Sequence, residues 1–320
     1  MLLQSDRVVP PPGPVPDFEG LAERAMSERV ENQWFKVPAS QITHGFSDPE
    51  NDEGPDRFFA WDNERPPYRV DVPAFEAQAR PVSNGEYAVY LVQTGTAIPI
   101  TWTSKTGSAQ TGSEAAVKLS SFLESTFIKT VYGPVSLKLA ADWPAMASFN
   151  EFSDYAKWAG YRIPTFNEVR SIYNLVEQRK STRTGFTKVA SRSVSPDPEE
   201  IFVDLKDCNV GLQHFHPMPV TQNGNRLSGL GDMGGAWEWT SSLLEAYETF
   251  KPMDIYPGYT GMSYLDHTGC PWVSAHILAK LISWTANTTL CLEDRGQRTH
   301  ALLVGRACKS SGLQPISCIR

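Results

Sequence analysis

Gly229-Leu230-Gly231-Asp232-Met233-Gly234-Gly235-Ala236-Trp237-Glu238-Trp239-Thr240-Ser241-Ser242 sets closely spaced glycines ahead of two tryptophans that flank a glutamate. Glycine is the residue of sharp turns, so the run predicts a folded-back loop leading into a short strand rather than a helix. The surrounding tract agrees. From about 180 to 260 the helical period disappears while Gly, Asn, Pro and Trp become frequent. A body with so few regular elements needs large buried rings to fix its loops. Trp237 and Trp239 are therefore expected in the core, with Glu238 between them a buried acid tied to backbone amides. The predicted class is α+β, irregular and loop-rich.

Upstream of this tract, regular structure is easier to read. Three helix starts use the capping box, in which a hydroxyl accepts from an exposed amide and an acid three residues later returns the bond: Ser83/Glu86, Ser148/Glu151 and Thr165/Glu168. Behind them Tyr87, Tyr90 and Leu91, then Phe152, Tyr155, Ala156 and Ala159, then Val169, Ile172, Tyr173 and Val176 keep the helical period. Gly95 and Gly160 stand where two of these helices should stop. Asp17 is placed to cap an earlier helix with Phe18, Leu21, Ala22 and Ala25 on one face. Trp34 to Val37 and Tyr68 to Val72 read as short strands, and the acidic stretch Asp48 to Asp56 reads as a solvated loop because its spacing does not fit an EF-hand.

The chain divides into a linker and helix over 1–33, a domain over 34–260, and a divergent tail over 261–320. Pro10-Pro11-Pro12-Gly13-Pro14-Val15-Pro16 is a stiff polyproline-type segment, expected to join this domain to a neighbour upstream. Lys and Arg number 29 against 36 Asp and Glu, and the resulting net charge of -7 opposes binding to phosphate backbones. Nucleic acid is not an expected partner. Neither is a membrane, since no apolar run is long enough to span one or to serve as a signal peptide, and a cytoplasmic location is the expectation. The 5 cysteines show neither a Cys-x-x-Cys pair nor zinc-ligand spacing and read as reduced thiols.

Several segments carry a family resemblance. Arg80-Pro81-Val82-Ser83-Asn84-Gly85-Glu86-Tyr87, Gly160-Tyr161-Arg162-Ile163-Pro164-Thr165 and the glycine-tryptophan run 229–242 resemble, in this order, three sequence signatures of the formylglycine-generating-enzyme superfamily. That resemblance implies a C-type-lectin-like fold. Gly54 to Glu64, Asp142-Trp143-Pro144-Ala145-Met146-Ala147-Ser148, His214 to Arg226 and Tyr256-Pro257-Gly258-Tyr259 are similar to the fungal ergothioneine-forming sulfoxide synthases. In those enzymes a domain of this kind is joined to a helical domain that holds iron(II), and the two link a cysteine thiol sulfur to trimethylhistidine with oxygen. The resemblance implies a domain that contributes substrate binding, with the iron-binding helical domain as a partner in cis or in trans. A non-catalytic binding module, or a formylglycine-generating-type oxidase with copper on a cysteine pair such as Cys308 and Cys318, are the alternatives.

Two departures shape the expectations. None of the 6 histidines falls in the family's His-x-x-x-His-x-Glu iron spacing, so the chain alone is expected to bind no cofactor or metal. After Tyr259 the family's closing motifs are not found, as an out-of-frame or mis-spliced reading would produce, and this tail is expected to pack poorly. The resemblance makes Tyr256 and Tyr259 the candidate catalytic residues, since a phenol can donate a proton or a hydrogen bond. His214, His216, Gln222 and Asn223 are the candidate substrate-binding residues. His214 and His216, two apart, would share one face of an extended segment, and structural roles for both remain open.

Overall fold

The computed structural model describes residues 13–45, 62–104, 115–184, 214–223, 238–243, 246–254, 271–274 and 308–310. The acidic loop, Trp237 and the Tyr256/Tyr259 pair lie outside them. Helices are α1 (Phe18–Ser27), α2 (Asn84–Thr94), α3 (Ala115–Ser125), α4 (Phe149–Trp158) and α5 (Phe166–Thr184). Strands are β1 (Trp34–Val37), β2 (Ser40–His44), β3 (Tyr68–Val72), β4 (Phe75–Gln78), β5 (Trp102–Ser104), β6 (Thr126–Thr130), β7 (Gly133–Ser136), β8 (Glu238–Leu243), β9 (Pro271–Ser274) and β10 (Cys308–Ser310). Among the described residues they form small antiparallel sheets, ordered β1-β4-β10, β2-β3, β5-β6-β7 and β8-β9. The mixture is α+β, as the sequence predicts.

Helix starts follow the predicted chemistry. Asp17 caps α1 by accepting from the Gly20 amide at 2.9 Å. At α2 the Ser83 hydroxyl accepts from the Glu86 amide and the Glu86 carboxylate accepts from the Ser83 amide, at 3.3 and 2.8 Å. Ser148 and Glu151 repeat the exchange at α4, and Thr165 and Glu168 at α5. Gly95 ends α2 at a positive φ of 69°, where a side chain would strain the backbone.

Two of these caps carry an addition. Arg80 reaches over the start of α2 and donates from Nη1 and Nη2 to the two Glu86 carboxylate oxygens at 2.9 and 2.8 Å. Arg162 does the same to Glu168 at 2.7 and 2.5 Å. Both read Arg-x-x-[Ser/Thr]-x-x-Glu in sequence. One carboxylate thus closes a backbone cap and pairs with a guanidinium fork. Burial works to raise the Glu168 carboxyl, but the Arg162 fork and the Thr165 amide outweigh it and hold it below its ordinary range.

The larger core gathers Tyr87, Leu91, Trp102, Trp143, Phe152 and Trp239 with smaller residues from α2, α4 and the β5-β6-β7 sheet. Tyr87 stands at its centre, in ring contact with Tyr90, Trp102, Phe152 and Tyr155. Trp239 is buried, as its place in the glycine-tryptophan run predicts, and its indole N–H donates to the Ala147 carbonyl at 3.1 Å. Glu238 is buried beside it. A second core joins Val37, Ile42, Val72, Phe75 and Ala77 to Ile172 and Val176 of α5.

The tract after 260 contributes two described segments, both strands in paired sheets: β9 lies against β8, with Trp239 opposite Val273, and β10 lies against β4, with Cys308 opposite Ala77. The physical reason is that an exposed strand edge leaves amides and carbonyls unpaired, and a short partner strand satisfies them.

His44, at the end of β2, is buried between the rings of Tyr68 and Phe166. Burial lowers its pKa to about 4, the Arg170 charge acts in the same direction, and a 2.8 Å hydrogen bond to Asn167 opposes them. The folded protein therefore holds His44 neutral where the unfolded chain, with its ordinary value near 6.5, takes up a proton. Stability should be intact above about pH 6.5 and fall as the pH drops toward 4, by on the order of 3 kcal/mol in total. Urea unfolding at intervals across this range, compared with His44→Gln, checks the assignment, since the variant should lose this part of the slope.

Removing the Glu86 carboxylate should leave the Arg80 guanidinium, whose side chain is only 3% exposed, without its fork. Glu86→Ala is expected to cost about 3–5 kcal/mol. The exposed pair Asp154–Lys157 is the control, and Asp154→Ala should change urea stability by no more than about 0.5 kcal/mol.

Candidate functional site

The strip 214–223 carries all four predicted substrate-binding residues, and two consecutive residues hold it to the body. The Asp142 carbonyl accepts the Val220 amide at 2.8 Å, and the Asp142 carboxylate accepts the Thr221 hydroxyl at 2.7 Å. At the other end of the strip His216 lies against the Trp143 ring, with centroids 5.8 Å apart and planes at 25°. Neighbouring Cα atoms are only about 3.8 Å apart, so the two anchor points of the strip are drawn close together.

The segment containing α1 closes over this support. Arg29 donates to both Asp142 carboxylate oxygens at 2.7 Å, through Nε and Nη2, and the carboxylate raises the pKa of its guanidinium. The Val30 amide donates to the Thr221 carbonyl at 2.9 Å. Phe18 sets its ring edge against Trp143 at 5.6 Å and against His216 at 5.4 Å, while Tyr132 of the β6-β7 turn approaches His216 at 6.4 Å.

The two histidines thus have different environments. His216 is 5% exposed, and its Nδ1 lies 2.9 Å from the Pro217 carbonyl. A carbonyl only accepts, so Nδ1 carries the hydrogen. Burial lowers its pKa; the contact with Pro217 opposes the shift and the neighbouring charge of His214 adds to it. His214 is exposed, with its ring 5.4 Å from that of His216. Gln222 is half-buried in the short turn Thr221–Asn223. The structure brings the histidine pair into contact and secures both ends of the strip. The candidate catalytic residues Tyr256 and Tyr259 lie outside the described residues.

Two residues not singled out for the site support it: Asp142 and Arg29. The sequence quotes Asp142-Trp143-Pro144 but offers no sign that this aspartate faces a threonine 79 positions away. Among the described residues no group of three or more His, Cys, Asp or Glu could hold a metal ion. No helix of the described residues is long and apolar enough to cross a membrane.

A family model described as the sulfatase-modifying factor enzyme 1-like domain matches residues 26–280, which takes in the strip, its Asp142-Trp143 support, the capped helices α2, α4 and α5 and strands β8 and β9. The chain belongs to this family. The sulfatase-modifying factor enzyme 1-like match runs past residue 260 and so includes part of the tract that the sequence alone sets apart. The chain is 41% identical over 311 residues to ergothioneine biosynthesis protein 1 of Neurospora crassa, covering 81% of this chain and 36% of that protein. It is 29% identical over 247 residues to the protein of the same name in Schizosaccharomyces pombe, covering 71% and 27%. It is 33% identical over 204 residues to hercynine oxygenase of Mycobacterium tuberculosis, covering 62% and 44%. The chain spans less than half the length of each of these relatives.

The contrast between the two histidines yields a stability prediction. His216→Ala should remove a ring packed among Phe18, Trp143 and Tyr132 and cost about 2–4 kcal/mol. His214→Ala, at an exposed position, should change stability by no more than about 0.5 kcal/mol. Urea midpoints of the two variants check this.

Proposed function

We propose that this chain is the substrate-binding domain of an ergothioneine-forming sulfoxide synthase, C-type-lectin-like in architecture and cytoplasmic. One structural observation carries the reading to a site: the strip 214–223 is fixed at both ends by Asp142-Trp143, with His214 exposed and Gln222 half-buried along it. The likeness to proteins named ergothioneine biosynthesis protein 1 and hercynine oxygenase supports trimethylhistidine as the ligand.

This substrate combines a carboxylate, an imidazole and a trimethylammonium group. An exposed imidazole such as His214 can accept or donate a hydrogen bond to it and offers a ring face for stacking. The amides of Gln222 and Asn223 provide donors for its carboxylate. Buried His216, held neutral, supports His214 from below without adding a cation that would repel the trimethylammonium group. Tyr256 and Tyr259 are proposed as proton or hydrogen-bond donors to the reacting groups. With no group of three or more His, Cys, Asp or Glu gathered among the described residues, the proposal assigns the metal and oxygen chemistry to an iron-binding helical domain, in cis or in trans, and gives this chain the binding of trimethylhistidine and the cysteine thiol substrate.

Calorimetric titration of the chain with trimethylhistidine tests the reading. Saturable binding with one site per chain, weakened about tenfold or more in His214→Ala and Gln222→Ala, is the expected result. Absence of binding to the folded chain would return it to a non-catalytic module of this fold with another ligand.

A further inference from the structure

We infer that Asp142 is a positioning residue for substrate binding, an inference that rests on the trimethylhistidine reading above. Its carboxylate receives three hydrogen bonds: Arg29 Nε and the Thr221 hydroxyl on Oδ1, and Arg29 Nη2 on Oδ2, each at 2.7 Å. Its own carbonyl receives the Val220 amide. Asp142 therefore joins two segments from different parts of the chain, the residues after α1 and the turn that carries Gln222 and Asn223.

The arrangement is closed on itself. The Val30 amide donates to the Thr221 carbonyl, so Arg29-Val30 grips Thr221 from one side while Asp142 holds its hydroxyl from the other. Thr221 and the Asp142 side chain are almost fully buried, so water does not compete for these bonds, whereas Arg29 is about half exposed. Strip and support are mutually dependent in geometry, and the support is shared with the start of α2: the Val30 carbonyl accepts from Arg80 Nη2 at 3.4 Å and the Trp143 carbonyl accepts the Asn84 amide at 2.8 Å. Loss of the Thr221 hydroxyl should loosen the turn locally and leave the body folded, because Asp142 keeps both of its bonds to Arg29. A turn free to move presents Gln222 in many orientations, and ordering it again on binding weakens affinity.

The test compares Thr221→Val, which removes the hydroxyl at nearly constant shape, with Thr221→Ser, which keeps it. Trimethylhistidine affinity of the full chain is measured by calorimetry, and amide hydrogen exchange is followed at Val220 and Val30. The inference expects Thr221→Val to bind about tenfold more weakly and to exchange faster at these two amides, with the melting temperature and the protection of α2 preserved. Thr221→Ser should return to within about twofold of the parent, a rescue that a purely packing role for the side chain would not give. Should Thr221→Val fail to fold, Arg29→Gln makes the same comparison from the exposed side of the carboxylate. Parent-like affinity in both Thr221→Val and Arg29→Gln would overturn the positioning role while leaving the substrate reading intact. Failure of the parent chain to bind trimethylhistidine would overturn the substrate reading, and the positioning role with it.

Discussion

A body with short strands and many turns has to satisfy its buried backbone without long hydrogen-bond ladders, and the stretch 140–145 is where this chain does so. Asn84 donates from its amide to the Trp143 carbonyl and from its side chain to the Ala140 carbonyl. Gly85 donates to the Ala141 carbonyl, and Ala145 returns a bond to Val82. The fit at Gly85 is close, since a Cβ there would stand 3.3 Å from the Ala141 oxygen. The first turn of α2, which would otherwise present unpaired amides, is therefore seated on a second backbone segment. That segment also offers Asp142 and Trp143 to the strip, so the helix cap and the candidate site share one piece of chain.

Large rings complete what the backbone begins. Trp143 has α1 and the strip around it through Phe18 and His216, and Tyr132 of the β6-β7 turn packs against both of those rings. Phe18 is a residue of α1 whose helical face is readable in sequence, but its partners come from remote parts of the chain. Edge-on contacts of this kind fix orientation as well as burying area. A site built on them inherits the rigidity of the core, although the strip itself contains no α-helix or β-strand among the described residues.

Much of the fold was legible in the sequence where local chemistry settles structure. Ser83/Glu86, Ser148/Glu151 and Thr165/Glu168 form the caps that their spacing predicts, and Trp34–Val37 and Tyr68–Val72 form the predicted strands. The repeated Arg-x-x-[Ser/Thr]-x-x-Glu was visible too, as Arg80 and Arg162, but only the structure reveals it as a forked pair over each cap. His44 and Asp142 were missed for a different reason. A single histidine in an alternating strand, or an aspartate before a tryptophan, gives no periodic signal, and the partners that define each lie far away in the chain. The strip lies between these cases: its residues were marked by resemblance, while the difference between exposed His214 and buried His216 depends on what packs against each ring.

The pairing of β10 with β4 has a further meaning for how the protein is made. Cys308 lies opposite Ala77 across the sheet, and most of the chain's length separates the two in sequence. Bringing such segments together requires closing a very large loop before any bond rewards it, which places this event late in folding. During synthesis β1 and β4 emerge and pair long before β10 exists, and until it arrives β4 has an uncovered edge. That edge is an invitation to strands of other nascent chains, so the speed with which translation delivers Cys308–Ser310 governs how long the unfinished protein is exposed to aggregation.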